Sequence, residues 1–213
     1  ITWSLVGSEM CIRDSSSSGV GAATARLLAA QGCHVVINYN SNAEGAEQVA
    51  EDCKAAGAET LVLQANVAMD EACVAMVQAA SEKWGRVDVL VNNAGTTKFV
   101  DHSRLEGLSA EDFQRIYSVN VVGAYQMTRA VSPLMQAQEE GGAVVNVAST
   151  AAITGIGSCV AYAASKGAMV TMTLSLARAL GPKLRINAVC PGFIEGDWLK
   201  EGYGDACLLY TSD

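Results

Sequence analysis

Tyr162-Ala-Ala-Ser-Lys166 sets a phenol and an ammonium four residues apart. On a helix that spacing places both on one face. A phenol with a pKa near 10 is a poor acid–base catalyst at neutral pH, and lowering it by about three units requires about 4 kcal/mol of selective phenolate stabilisation. One cation about 4 Å away supplies that at an intermediate effective dielectric. Ser149 stands upstream, just past an expected strand end, where sites form in open α/β sheets. Its hydroxyl could hold a carbonyl oxygen while Tyr162 exchanges the proton. On spacing alone the default for Tyr162 and Lys166 is a surface pair. Gly19-Val20-Gly21 opens an expected helix. Glycine lets a backbone approach a pyrophosphate, and a helix N-terminus offers unpaired N–H donors. Alone, a glycine-rich turn is more often only a turn.

The elements around these residues read as alternating strands and helices. Runs at 33–39, 60–65, 87–92, 143–148 and 184–189 are apolar and rich in β-branched residues. Short continuous runs suit parallel strands covered on both faces. Between them lie expected helices at about 20–31, 42–56, 70–84, 109–138 and 159–180. Ser109, with Asp112 three residues on, and Asp70 are expected N-caps. Gly32, Gly57, Gly85 and Gly181 stand where helices should stop. The repetition implies right-handed crossovers and a doubly wound, three-layer α/β fold. The expected organisation is a single domain over 1–213. Residues 1–14 should supply the first strand, yet Met10-Cys11-Ile12 is the apolar run there, beside Glu9, Arg13 and Asp14. A degraded first strand and a missing last strand are therefore expected. The stretches 1–14 and about 206–213 read as foreign, adapter-like sequence.

Composition narrows the function classes. The chain has 213 residues, 50% hydrophobic and 17% charged, with 14 Lys+Arg against 22 Asp+Glu and a net charge of −8. That charge argues against nucleic acid or an anionic membrane as the main partner. No apolar run reaches the about 18 residues of a membrane span. Seven scattered cysteines form no CxxC pair, so free thiols in a reducing cytoplasm are expected. No signal peptide is read at the N-terminus. His34 and His102 are the two histidines, and structural roles are the default for both. No metal site is expected. Met127, Met135, Met169 and Met172 fall on the long helices, where core or interface packing is the default.

Taken together, these motifs resemble the short-chain dehydrogenase/reductase family over about residues 15–200, nearest the 3-oxoacyl-carrier-protein reductase branch. Asn92-Asn93-Ala94-Gly95 is similar to the family motif after the fourth strand, and Pro191-Gly192-Phe193-Ile194 to the turn beside the nicotinamide. The resemblance implies a Rossmann fold and an NAD(P)-dependent enzyme that interconverts a carbonyl and an alcohol. It implies that Tyr162 is the acid/base and that Lys166 binds the nicotinamide ribose and lowers the tyrosine pKa. Ser149 would orient the substrate, and Asn120 would anchor a water of the proton relay. Cofactor contacts are implied at Ser17, Gly19, Val20, Gly21, Asn38, Tyr39, Asn40, Asn66, Val67, Asn93, Ala94, Gly95, Pro191, Gly192 and Ile194, besides Tyr162 and Lys166. A homo-oligomer, dimer or tetramer, is implied through helices 109–138 and 159–180. Val121, Val122, Tyr125, Met127, Met169, Met172 and Leu174 there exceed what one sheet face needs.

Some positions depart from the family pattern. Asp14 and Ser15 stand where the phosphate loop has Thr-Gly, and Gly196 where a threonine often follows the Pro-Gly turn. The second strand ends in Asn38-Tyr39-Asn40-Ser41, without a carboxylate to accept ribose hydroxyls and repel a 2′-phosphate. NADP(H) is therefore favoured over NAD(H). The expected substrate is a small carbonyl or alcohol. The competing expectation is a catalytically incompetent fragment whose ends prevent productive cofactor binding.

Overall fold

The computed structural model describes residues 3–8 and 19–194. Six parallel strands run β1 (Trp3–Ser8), β2 (Cys33–Tyr39), β3 (Thr60–Gln64), β4 (Val89–Asn92), β5 (Gly142–Val147) and β6 (Leu184–Val189), in the sheet order β3-β2-β1-β4-β5-β6. The order reverses between β1 and β4. Ligands bind outside the carboxyl ends of the strands at such a switch point.

The apolar runs of β2, β4 and β5 become largely buried strands because successive side chains face opposite layers, while the edge strands β3 and β6 are partly covered. Val36, Leu90 and Val144 pack with Met76, Met127, Val131 and Met135 on one face. Val35, Ile37, Val91 and Val147 pack with Ala25, Ala29, Val49 and Ala50 on the other. Helices α3 (Asp70–Trp84), α5 (Ala124–Ala137) and α7 (Val160–Leu180) cover the first face. Helices α1 (Val20–Ala30) and α2 (Ala43–Ala55) cover the second, giving three layers. The remaining helices are α4 (Ala110–Tyr117) and the short α6 (Ala151–Thr154).

The first strand differs from expectation. It lies at Trp3–Ser8, upstream of Met10-Cys11-Ile12, and pairs along its whole length with β2 and in part with β4. Leu5 and Val6 are its strand-compatible aliphatic residues. Glu9, Arg13 and Asp14 lie outside the described residues, as does the expected loss of a last strand.

Helix ends follow local chemistry. Ser109 Oγ accepts from Asp112 N, while Asp112 Oδ2 accepts from Ser109 N, a reciprocal capping box. Asp70 is not a cap. It is the first residue inside α3 after Met69, where its charge suits the helix N-terminus, and it pairs with Arg129. The expected helix over 109–138 is interrupted: α4 passes into a π-helical turn at Ser118–Gly123 before α5 begins. Gly123 faces Val67 there. A β-carbon at 123 would lie 2.7 Å from Val67 Cγ2 and 3.2 Å from Val67 O.

A buried polar network ties the site-bearing strands to their helices. Asn92 Nδ2 donates to Asn146 Oδ1 of the neighbouring strand at 2.8 Å and to Thr128 Oγ1 of α5 at 3.2 Å. Asn146 Nδ2 donates to Thr173 Oγ1 of α7 at 2.8 Å. These bonds run from strand to strand and from strand to helix, which fixes β4 and β5 against α5 and α7.

Candidate active site

Tyr162 and Lys166 lie one turn apart near the start of α7, as their spacing requires. They are not a surface pair. Lys166 is 3% exposed, and its Nζ sits 5.7 Å from the centre of the Tyr162 ring. Nζ donates to Val147 O, the last carbonyl of β5, at 2.7 Å. Burial pushes the Lys166 ammonium down to about 8, against a smaller opposing effect of Cys190. At neutral pH it is still mostly charged. An ammonium has three donors, and Val147 takes one of them.

Gly95, Asn120 and Lys166 converge. A β-carbon at Gly95 would lie 3.7 Å from both Asn120 Oδ1 and Lys166 Nζ. Asn120, fully buried in the π-helical turn, uses its whole amide: Oδ1 accepts from Thr96 N at 2.7 Å, and Nδ2 donates to Thr96 O at 3.0 Å and Ser165 Oγ at 2.9 Å. Ser165 Oγ in turn donates to Tyr162 O at 2.7 Å. The side chain of Asn120 therefore clamps the segment after β4 to the Tyr162 helix. With Oδ1 and Nδ2 all engaged in this way, the Asn120 side chain is committed to the clamp.

Ser149 follows β5 by two residues and is half-buried. Its Oγ accepts from Ala151 N at 3.2 Å, which leaves the hydroxyl proton available to a substrate oxygen. Thr150 N donates to Pro191 O at 2.9 Å, and a β-carbon at Gly192 would lie 3.9 Å from Thr150 Cγ2. The Pro191-Gly192 turn thus stands beside Ser149, with Ile194 partly exposed after it.

The other cofactor candidates distribute along the same sheet edge. Gly19, in extended conformation, caps α1 without a side-chain hydrogen bond, ahead of Val20 and the buried Gly21. Ser17 lies outside the described residues. Asn38 is spent on structure: its Nδ2 lies 3.0 Å from Ala65 O and 3.2 Å from Leu63 O, bridging β2 to β3. Tyr39 and Asn40 remain half-buried at the strand end. Asn66 Oδ1 accepts from Ala68 N at 3.0 Å in a tight turn. Val67 is buried, and its carbonyl takes Gln126 Nε2 at 2.7 Å. Asn93 is half-buried and Ala94 buried at the end of β4.

Thr96, Ser165 and the Val147 carbonyl are absent from the sequence-read set. Ser165 was within reach, because a serine three residues after Tyr162 can bond back to that carbonyl. Thr96 and Val147 act through backbone atoms, which carry no residue-type signal. His34 is structural: it stacks on Trp84 at 5.6 Å, and its Nδ1 accepts from Glu59 N at 3.1 Å. No helix among the described residues is long and apolar enough to cross a membrane.

Comparison with known proteins gives a family. The family model for short chain dehydrogenase matches residues 15–204. A ketoacyl reductase of the granaticin polyketide synthase of Streptomyces violaceoruber is 40% identical over 185 residues, 87% of this chain and 72% of that protein. A 3-oxoacyl-acyl-carrier-protein reductase of Synechocystis sp. is 35% identical over 203 residues, 95% of this chain and 81% of that one. A crystal structure described as a short-chain dehydrogenase/reductase from Burkholderia xenovorans superposes with a TM-score of 0.86 at 40% identity, covering 93% of this chain and 80% of that one. With the parallel sheet, its switch point and these matches in hand, the chain belongs to the short-chain dehydrogenase family and is an oxidoreductase acting on CH–OH and carbonyl groups.

Proposed function

We propose that the chain reduces a carbonyl, or oxidises the matching alcohol, with a nicotinamide dinucleotide and the four residues Tyr162, Lys166, Ser149 and Asn120. One observation carries this reading: a buried ammonium, Lys166, stands beside the Tyr162 ring at the carboxyl edge of the sheet. A buried cation next to a phenol favours the phenolate and so tunes Tyr162 toward neutral pH.

The residues fit such a cofactor. Lys166 keeps donors free of Val147 O for ribose hydroxyls. The start of α1 at Gly19 and Val20 would present backbone N–H groups to a pyrophosphate. When bound, the nicotinamide supplies or takes up the hydride. Ser149 donates its hydroxyl proton to the carbonyl oxygen and holds it in place. Tyr162 transfers its proton to that oxygen, so the alcohol leaves neutral. Lys166 stabilises the phenolate left behind, and Asn120 holds its main-chain carbonyl where a relay water can return the proton.

NADP(H) is the favoured dinucleotide. With Asn38 committed to strand carbonyls, Tyr39, Asn40 and Ser41 are what the end of β2 offers, and none repels a 2′-phosphate. The substrate class is a small carbonyl, with 3-oxoacyl compounds first in view of the ketoacyl reductases above. A homo-oligomer is proposed through the π-helical turn and the outer sides of α5 and α7. Val122 and Tyr125 are 44% exposed and Leu174 55%, whereas Met127 and Met169 belong to the core. Steady-state oxidation of NADPH and NADH with ethyl acetoacetate tests the reading. A higher kcat/KM with NADPH, and formation of the 3-hydroxy ester, are expected.

A further inference from the structure

The ring of Tyr162 has a second close neighbour besides Lys166. A β-carbon built at Gly157 would lie 3.3 Å from Tyr162 Cδ1, 3.8 Å from Cε1 and 3.1 Å from Ala151 Cβ. Backbone without a side chain therefore rests against the ring edge, and any larger residue would push it. That backbone is held from across the site. His102 Nε2 lies 2.9 Å from Gly157 O. A carbonyl accepts only, so Nε2 carries the proton and donates. The next residue is held as well: Val100 N donates to Ser158 O at 2.9 Å, and the hydroxyls of Thr97 and Ser158 share a hydrogen bond of 2.5 Å. His102 is itself fixed in a turn where Asp101 Oδ1 accepts from Ser103 N at 2.8 Å and Arg104 N donates to Asp101 O at 3.0 Å.

We propose that His102 is a positioning residue for Tyr162: its hydrogen bond to the Gly157 carbonyl holds that backbone against the phenol ring and so sets where the phenol oxygen sits. The inference rests on the reading of Tyr162 as the proton donor. The contact lies outside the Tyr162–Lys166–Ser149–Asn120 group, and it comes from a loop residue far off in sequence. Loss of the bond frees Gly157 to move and the ring to tilt. A misplacement of about 1 Å at a reacting group costs up to about a hundredfold in rate. It also changes the distance from the phenol to Lys166, and with it the proton affinity of Tyr162.

The test compares the parent protein with His102→Ala, His102→Gln, Gly157→Ala and Tyr162→Phe. Probes are NADPH with ethyl acetoacetate, and NADP+ with ethyl 3-hydroxybutyrate across pH. Gln keeps an amide donor at about the reach of Nε2. For His102→Ala, kcat should fall about tenfold while the NADPH dissociation constant stays within about twofold. The pH limb of alcohol oxidation should move, and His102→Gln should recover most of both. A purely structural role would lower the folded fraction and leave the limb in place. Parent-like kcat and pH limb in His102→Ala, or equal impairment of the Ala and Gln variants, would overturn the proposal. Should His102→Ala fail to fold, Gly157→Ala decides: it perturbs the same ring edge, and an unmoved limb overturns the proposal. An active Tyr162→Phe would instead remove the underlying reading of Tyr162, so the two failures are distinguishable.

Discussion

Lys166 carries a cost in the folded chain that its surroundings only partly offset. Its proton leaves near 10.5 when the chain is unfolded and near 8 when folded, because burial disfavours the charge. Below pH 8 both states are charged and the folded state bears the full penalty. Between pH 8 and 10.5 the folded state has lost the proton and the unfolded state has not, so this group makes stability rise with pH across that window. Lys166→Met should therefore stabilise the ligand-free protein by about 1–3 kcal/mol at pH 7, with the gain vanishing as pH approaches 10.5. Urea unfolding at several pH values checks this, and an unchanged or lower midpoint at pH 7 would contradict it. The same variant should lose turnover, a trade of stability against function. At this scale the sequence is informative about neighbours and silent about burial. The i,i+4 spacing of Tyr162 and Lys166 puts both on one face, yet a spacing rule holds equally at the surface and in the core. Asn120 is legible through its motif, whereas its clamp on Thr96 is made to backbone atoms far off in sequence and has no sequence signature.

The elements follow the residue pattern where the pattern is local. β2 and β6 fall where apolar, β-branched runs begin and end, and the Ser109–Asp112 box starts α4. Two features escape a local reading. The π-helical turn at Ser118–Gly123 lies inside a continuous helical pattern, and what sets it is tertiary: Asn120 reaching Thr96 and Gly123 meeting Val67. The first strand has a glycine and two serines among its six residues, so its pairing with β2 and β4 outweighs a weak local propensity. Gly123→Ala tests the tertiary origin of the turn. The added methyl must displace Val67, whose carbonyl is also held by Gln126, and overpacking of this kind costs about 1–3 kcal/mol. Denaturant unfolding should show a loss in that range, and a stability equal to the parent would contradict the close approach.

Over the whole molecule, a sheet covered on both faces leaves its carboxyl edge as the place for chemistry. Gly19, the Asn92–Gly95 segment, Ser149 and Pro191 reach that edge from four separate parts of the chain. Val122 of the π-helical turn, Tyr125 of α5 and Leu174 of α7 stay exposed, an apolar set suited to symmetric self-association. Light scattering at micromolar concentration should give a dimer or tetramer, and a clean monomer would count against it. The α/β layering is legible because alternating strands and helices leave few architectures, whereas an assembly depends on which helix faces remain open after folding. The central claim is that Tyr162 supplies the proton for carbonyl reduction by NADPH. Its most direct measurement is turnover of ethyl acetoacetate by the parent and by Tyr162→Phe, with NADPH binding followed by fluorescence in both. The prediction is a loss of about 10²-fold or more in kcat with an NADPH affinity close to the parent's. A Tyr162→Phe protein keeping more than about a tenth of the parent rate would contradict the account.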